Sequence, residues 1–213
     1  MSASASEISM SAIPSNPSTR QLVHTRRVEC MGFKRRDGLF DIEGHIRDTK
    51  ADDSDLLFKT VPAGSPIHDM RIVVTIDSEL LIHRIEAHTD SSPSRFCTEI
   101  NEAYAGLEGM TIGAGFMKEV KSRLSGPKGC THLTELLGPI ATTAIQTLMG
   151  WRKAAPAGRD SGEATGSAQA HPMVDTCYAW RAGGDVVQFV ARRKQESVRG
   201  EAQTAGATPP PDQ

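Results

Sequence analysis

The chain has 213 residues, with 24 lysines and arginines against 26 aspartates and glutamates, and a net charge of −2. Its basic residues are scattered rather than blocked and aromatics make up only 5%, so the basic footprint and base-stacking platforms of a nucleic-acid-binding protein are missing. Four cysteines (Cys30, Cys97, Cys130, Cys177) lie far apart with no CxxC and no HxxxH, and no apolar run approaches a membrane span.

Residues 1–19 are mostly Ser, Ala, Pro, Asn and Ile without periodicity, and 193–213 run through Gln, Glu, Gly, Ala and a Pro-Pro-Pro. Both read as disordered tails around a single domain over 20–192. No signal peptide is visible at the N-terminus, so the expectation is a cytoplasmic protein with reduced thiols and no membrane partner. Some 170 residues remain for a core that needs neither disulfides nor metal.

Gln21 to Cys30 mixes β-branched and polar residues as a half-buried strand does. Lys34-Arg35-Arg36-Asp37-Gly38 follows, and Asp-Gly between two such runs signals a hairpin. The next strand, Leu39 to Lys50, alternates cleanly: Phe40, Ile42, Gly44 and Ile46 take one face, Asp41, Glu43, His45 and Arg47 the other. That polar row is either a solvated outer face or the wall of a cavity where carboxylates and an imidazole transfer protons.

Residues 51–64 form a loop by composition, and Pro66 to Asp77 is the strongest strand, with Met70, Ile72, Val74 and Ile76 on the face that also carries His68. Asp69 is adjacent in sequence and points the opposite way, so the two are no ready-made dyad. Leu80 to Thr89 fits a fourth antiparallel strand. Helical spacing then appears at Phe96, Ile100 and Tyr104, again over Gly115 to Leu124, and a third time from Thr131 to Trp151, where Gly138-Pro139 should kink or break the helix. Residues 153–171 read as a long loop, and Cys177 to Trp180 with Asp185 to Val190 as a small C-terminal hairpin or helix-turn-strand. The architecture expected is α+β: an antiparallel sheet of about four strands followed by three helices.

Where the third helix begins, Gly129-Cys130-Thr131-His132-Leu133-Thr134-Glu135 gathers a thiol, an imidazole and a carboxylate. A helix N-terminus favours negative charge, and His132 and Glu135, three apart, share a helix face. A buried Cys130 and a satisfied polar His132 would give the same sequence. On chemistry alone, Glu43, His68, His132 and Glu135 are the candidates for proton transfer, and Arg27, Arg36, Asp41, Cys97 and Cys130 for binding a substrate. Spacing predicts no metal ligand set and no cofactor; a homo-oligomer is left open.

Arg35-Arg36-Asp37-Gly38-Leu39-Phe40-Asp41-Ile42-Glu43-Gly44, Gly64-Ser65-Pro66-Ile67-His68-Asp69-Met70, Gly129-Cys130-Thr131-His132-Leu133 and a distal Asp175-Thr176-Cys177 together resemble a bacterial family catalogued only as a domain of unknown function, over about residues 20–192. That family is associated with γ-formaldehyde lyases acting on lignin-derived diaryl compounds. The resemblance thus implies a cofactor-independent carbon–carbon lyase with a small aromatic substrate, and assigns no residue a role. Two other classes fit the residues: a hydrolase or transferase using Cys130 as nucleophile with a nearby His, and a non-enzymatic binding or assembly module.

Overall fold

The computed structural model describes residues 20–154, 173–175 and 177–205. Four long strands, β1 (His24–Lys34), β2 (Phe40–Lys50), β5 (Pro66–Ile76) and β6 (Ile82–Ser91), form one antiparallel sheet in the order β1-β2-β5-β6, and a two-residue pair, β3 (Ser54–Asp55) and β4 (Thr60–Val61), makes a separate small hairpin. The β1–β2 turn is the Asp-Gly expected: Gly38 takes φ 91°, a left-handed conformation that an L side chain resists, and Asp37 Oδ1 accepts from the Leu39 N–H.

Even-numbered residues of β2 and β5 point inward. Phe40, Ile42, Ile46, Met70, Ile72, Val74 and Ile76 are all buried, and two helices, α1 (Phe116–Leu124) and α2 (Thr131–Ala154), contribute Phe116, Val120, Leu133, Leu136, Leu137, Ile140 and Leu148 to the same core. Helix α2 lies against β1, β2 and β5. Two strand glycines let it approach closely: a Cβ at Gly44 would sit 2.6 Å from Ile140 Cδ1 and 3.1 Å from Leu136 Cγ, and one at Gly32 would collide with Thr147 Oγ1.

Several expectations shift. The helix anticipated over Arg95 to Tyr104 is two tighter 3₁₀ segments, Arg95–Thr98 and Asn101–Leu107. In a 3₁₀ helix residues three apart eclipse, and that geometry buries Tyr104 and Leu107 together against the core beside β6. Helix α2 runs through Pro139 without a break. Pro139 lies on its exposed side, and each buried Leu or Ile of the inner stripe contributes about 1.5–3 kcal/mol. That stripe outweighs the roughly 3 kcal/mol an interior proline costs.

The chain separates into two compact units, dividing between residues 156 and 157. In the second unit a 3₁₀ turn at Tyr178–Trp180 and helix α3 (Asp185–Ala205) stand where the sequence suggested a closing hairpin and then a disordered tail from 193. The β-branched Val186 and Val187 suggested a strand, whereas Gly183-Gly184 followed by Asp185 starts a helix that the Ala, Arg, Gln and Glu beyond it sustain. The expected N-terminal tail, residues 206–213, and the loop beyond Ala154 up to 171 lie outside the described residues. No described helix is long and apolar enough to cross a membrane.

Candidate functional site

The site forms at one end of the sheet, where the inward-facing rows of β1, β2 and β5 stop being apolar. Register sets Arg26 directly opposite Asp48, and Asp48 directly opposite His68. Arg26, Asp48 and His68 therefore stand side by side across three strands, on the face that α2 covers. An irregularity between Asp48 and Thr49 pairs Thr49 with Pro66, so that Ile67 is an extra residue beside the site; bulges of this kind re-aim a neighbouring side chain.

Asp48 is 1% exposed. A buried carboxylate is costly unless its oxygens are bonded, and here Arg26 supplies a two-pronged fork: Nε donates to Oδ1 and Nη2 to Oδ2, both at 2.8 Å. The third donor nitrogen, Nη1, reaches Glu135 Oε2 on α2 at 2.7 Å. His68 Nδ1 is 3.1 Å from Asp48 Oδ2, and His24 Nε2 is 3.4 Å from Oδ1.

The start of α2 closes the site from above. Gly129 lies against the Leu124 carbonyl, where no Cβ would fit. The buried Tyr104 hydroxyl accepts from the Cys130 N–H, donates to the Cys130 carbonyl and shares a 2.8 Å hydrogen bond with Thr134 Oγ1. This clamp on the first turn fixes where His132 projects. The His132 ring stacks on that of His68 with centroids 3.7 Å apart, its Nε2 3.9 Å from Asp48 Oδ2 and its Nδ1 4.0 Å from Cys130 Sγ.

Burial lowers both imidazole pKa values below their ordinary range. For His68 the neighbouring His132 lowers it further, and for His132 the Arg26 guanidinium does; the Asp48 charge opposes the shift in each case. Asp48 feels the reverse balance: burial alone would raise its carboxyl, but the Arg26 fork and the surrounding imidazoles hold it below the usual carboxylate value. At neutral pH the arrangement is the Arg26 guanidinium between the carboxylates of Asp48 and Glu135, beside a stacked pair of neutral imidazoles partly open to solvent at 15% for His68 and 24% for His132. Such a pair can take a proton from a substrate hydroxyl or pass one to a departing oxygen.

Beside it opens a cleft of about 490 Å³ lined by Phe96, Cys97, Ile100, Pro127, Gly129 and Cys130, with Glu99 contributing a charge to its wall. Cys130 belongs to both: its sulfur faces His132 and its residue lines the cleft.

Of the residues singled out from sequence, the fold brings His68, His132 and Glu135 to one site, the last through Arg26. Cys97 and Cys130 share the cleft wall. Glu43 and Asp41 lie on the opposite sheet face, as do His45 and Arg47; there Asp41 accepts from Thr75 Oγ1 at 2.7 Å and His45 pairs with Asp69 at 2.6 Å. The cavity reading of that row is thereby replaced by a polar network on the outer side of the sheet. Arg27 sits opposite Arg47 on the same outer face, and Arg36 is exposed in the β1–β2 turn.

Sequence reasoning passed over Arg26, Asp48 and His24. The signal for Asp48 was present: it is the next residue after Ile46 on the apolar face of an alternating strand, where a charge demands a partner. The expectation of no metal ligand set also needs revising. Spacing along the chain does not see across strands, and among the described residues Asp48, His68 and His132 offer donor atoms all within 4.8 Å of one another. Both Asp48 oxygens are nonetheless taken up by Arg26, so a cation there would compete with the guanidinium for the carboxylate.

No curated protein and no solved structure matches the chain. A family model described as "Protein of unknown function (DUF2889)" matches residues 24–146, the segment holding Arg26, Asp48, His68, Cys130 and His132, and the chain therefore belongs to that family.

Proposed function

We propose that the chain is a carbon–carbon lyase that releases formaldehyde from a lignin-derived phenolic diaryl compound, using its own side chains as acid and base. The observation that carries the reading is the stacked pair of neutral imidazoles, His68 and His132, over the buried Asp48–Arg26 pair. The phenolic oxygen pushes electrons through the ring and the substituent oxygen on the α-carbon leaves, which gives a quinone methide. A base then takes the γ-hydroxyl proton, the bond between the β- and γ-carbons breaks, formaldehyde departs, and the freed electron pair forms the stilbene double bond while the ring regains aromaticity. One proton goes to the leaving oxygen and one comes off the γ-hydroxyl. Over a turnover, a neutral imidazole that accepts a proton and hands it on keeps that balance, while its stacked neighbour disfavours a second charge. The adjoining cleft, apolar on most of its wall, supports an aryl substrate.

Incubation with a panel of phenolic diaryl diols should release formaldehyde and a stilbene in equal amounts, and the activity should survive EDTA, since Asp48 is engaged by Arg26. His68→Gln and His132→Gln should each lower the rate by about a hundredfold to ten-thousandfold with an unchanged fold. No formaldehyde from any member of the panel would sink the proposal, and loss with EDTA restored by one metal ion would transfer the chemistry to a cation held by Asp48, His68 and His132.

A second reading rests on the 4.0 Å approach of Cys130 Sγ to His132 Nδ1, the geometry of a thiol and its base. Cys130→Ser separates the two: a lyase should lose activity modestly, whereas a thiol-dependent hydrolase or transferase should lose it entirely and leave a covalent adduct on Cys130 in the wild type.

A further inference from the structure

The β3–β4 hairpin carries an unexplained feature. Its turn is closed by the Leu56 N–H donating to the Lys59 carbonyl, and its base is held by the Ala63 N–H to Asp53 Oδ1 at 2.8 Å and the Gly64 N–H to the Lys50 carbonyl at 2.9 Å. The hairpin is thus positioned, yet its tip presents Leu57 at 90% exposure and Phe58 at 57%. Phe58 reaches across to Phe96, with ring centroids 6.1 Å apart in a T-shaped arrangement, and Phe96 is itself 50% exposed. Phe96 lines the cleft that ends at Cys130, and the Cys130 sulfur is 4.0 Å from the His132 ring. Exposed apolar groups on a positioned turn do not stabilise a monomer. Here they continue the apolar wall of a cleft whose volume suits a small molecule.

We propose that Phe58 and Phe96 form an aromatic clamp that seats one ring of the substrate in the cleft, with Leu57 covering it and Cys130 separating the bound ring from the imidazole pair. The inference rests on the lyase reading for the identity of the ligand as a planar aryl compound, and on the Phe58–Phe96 contact for the place where it binds. Aromatic rings prefer offset or edge-to-face partners, and a ring entering here finds two side chains already disposed for such contact. The clamp residues bind without touching the proton being moved. They are specificity-determining residues, distinct from His68 and His132.

The test uses the full chain and 4-hydroxystilbene as the probe, with binding followed by fluorescence anisotropy. Phe58→Ala and Phe96→Ala should each weaken binding by about tenfold while the thermal melt stays near wild type, Phe58 and Phe96 being half exposed. Bound probe should also protect Cys97 and Cys130, which line the cleft, from maleimide. In turnover with a phenolic diaryl diol, the same variants should raise KM and leave kcat within about threefold. No binding of the probe to the wild type, or equal binding to both variants, overturns the clamp. Formaldehyde release with unchanged KM in both variants overturns it while leaving the lyase reading intact. Phe-dependent stilbene binding without formaldehyde from any substrate supports the clamp and removes the lyase.

Discussion

Asp48 does at the level of a single residue what no neighbour in the sequence could do for it. It is buried, it holds Arg26 in a fixed orientation, and its charge raises both imidazoles against the larger lowering effect of burial. Removing that charge has a defined consequence. Asp48→Asn keeps the shape but takes away the charge that opposes the lowering of both histidines, so the acid limb of kcat/KM should lie at lower pH than in the wild type. Loss of a charged hydrogen-bond partner for Arg26 should also cost about 1–3 kcal/mol of stability. Glu43→Gln is the matched control: Glu43 lies on the far face of the sheet, and its change should alter stability by no more than about 0.5 kcal/mol and leave turnover at the wild-type level. An acid limb that stays in place in Asp48→Asn, or a slow Glu43→Gln, would show that the wrong carboxylate has been assigned to the site.

At the scale of elements, α2 is what turns a row of strand residues into a site, and its seat on the sheet depends on two glycines, Gly32 against Thr147 and, nearer the site, Gly44. A side chain at that position has to displace Ile140 and Leu136, and overpacking of this kind typically costs about 1–3 kcal/mol. Gly44→Val should therefore lower the melting temperature, and because α2 also carries His132 and Glu135, activity should fall further than stability does. Gly106→Ala, where an added Cβ meets nothing within 4 Å, should leave both unchanged. A Gly44→Val enzyme with a wild-type melt and wild-type turnover would mean that α2 tolerates a shifted seat.

The strands were legible because alternation is a local property. Phe40, Ile42 and Ile46 opposite Asp41, Glu43 and His45 state their faces outright, and the Asp37-Gly38 turn fixes the pairing of β1 with β2. What was not legible is whatever depends on a second element. The register that lines up Arg26, Asp48 and His68 follows from counting outward from two turns, one of which ends in a bulge at Thr49. The 3₁₀ geometry over residues 95–107 and the unbroken path through Pro139 follow from what is buried against the core. His132 was found and Arg26 was not for the same reason: the chemistry around His132 is contiguous in sequence, whereas Arg26 acquires its role from residues 22 and 109 positions away.

The whole molecule should report the state of the site through its pH-dependent stability. His68 and His132 have folded pKa values below their ordinary 6.5, so as pH falls through that region the unfolded chain takes up protons at these two positions before the folded one does. Stability associated with the pair is complete above about pH 6.5 and is lost as pH falls from there through the lowered folded values. Asp48, also lowered, adds a second loss in the same direction, but only once the pH nears its ordinary 3.8. Between pH 7.5 and 5 the histidine pair is thus the part of the site that responds. Thermal melts across this interval should show the wild type losing stability, and His68→Gln/His132→Gln losing distinctly less, because glutamine preserves polarity at both positions and does not titrate. Equal losses in the two proteins would mean that the imidazoles are as readily protonated in the fold as outside it, and the neutral pair on which the proposed chemistry depends would have to be given up.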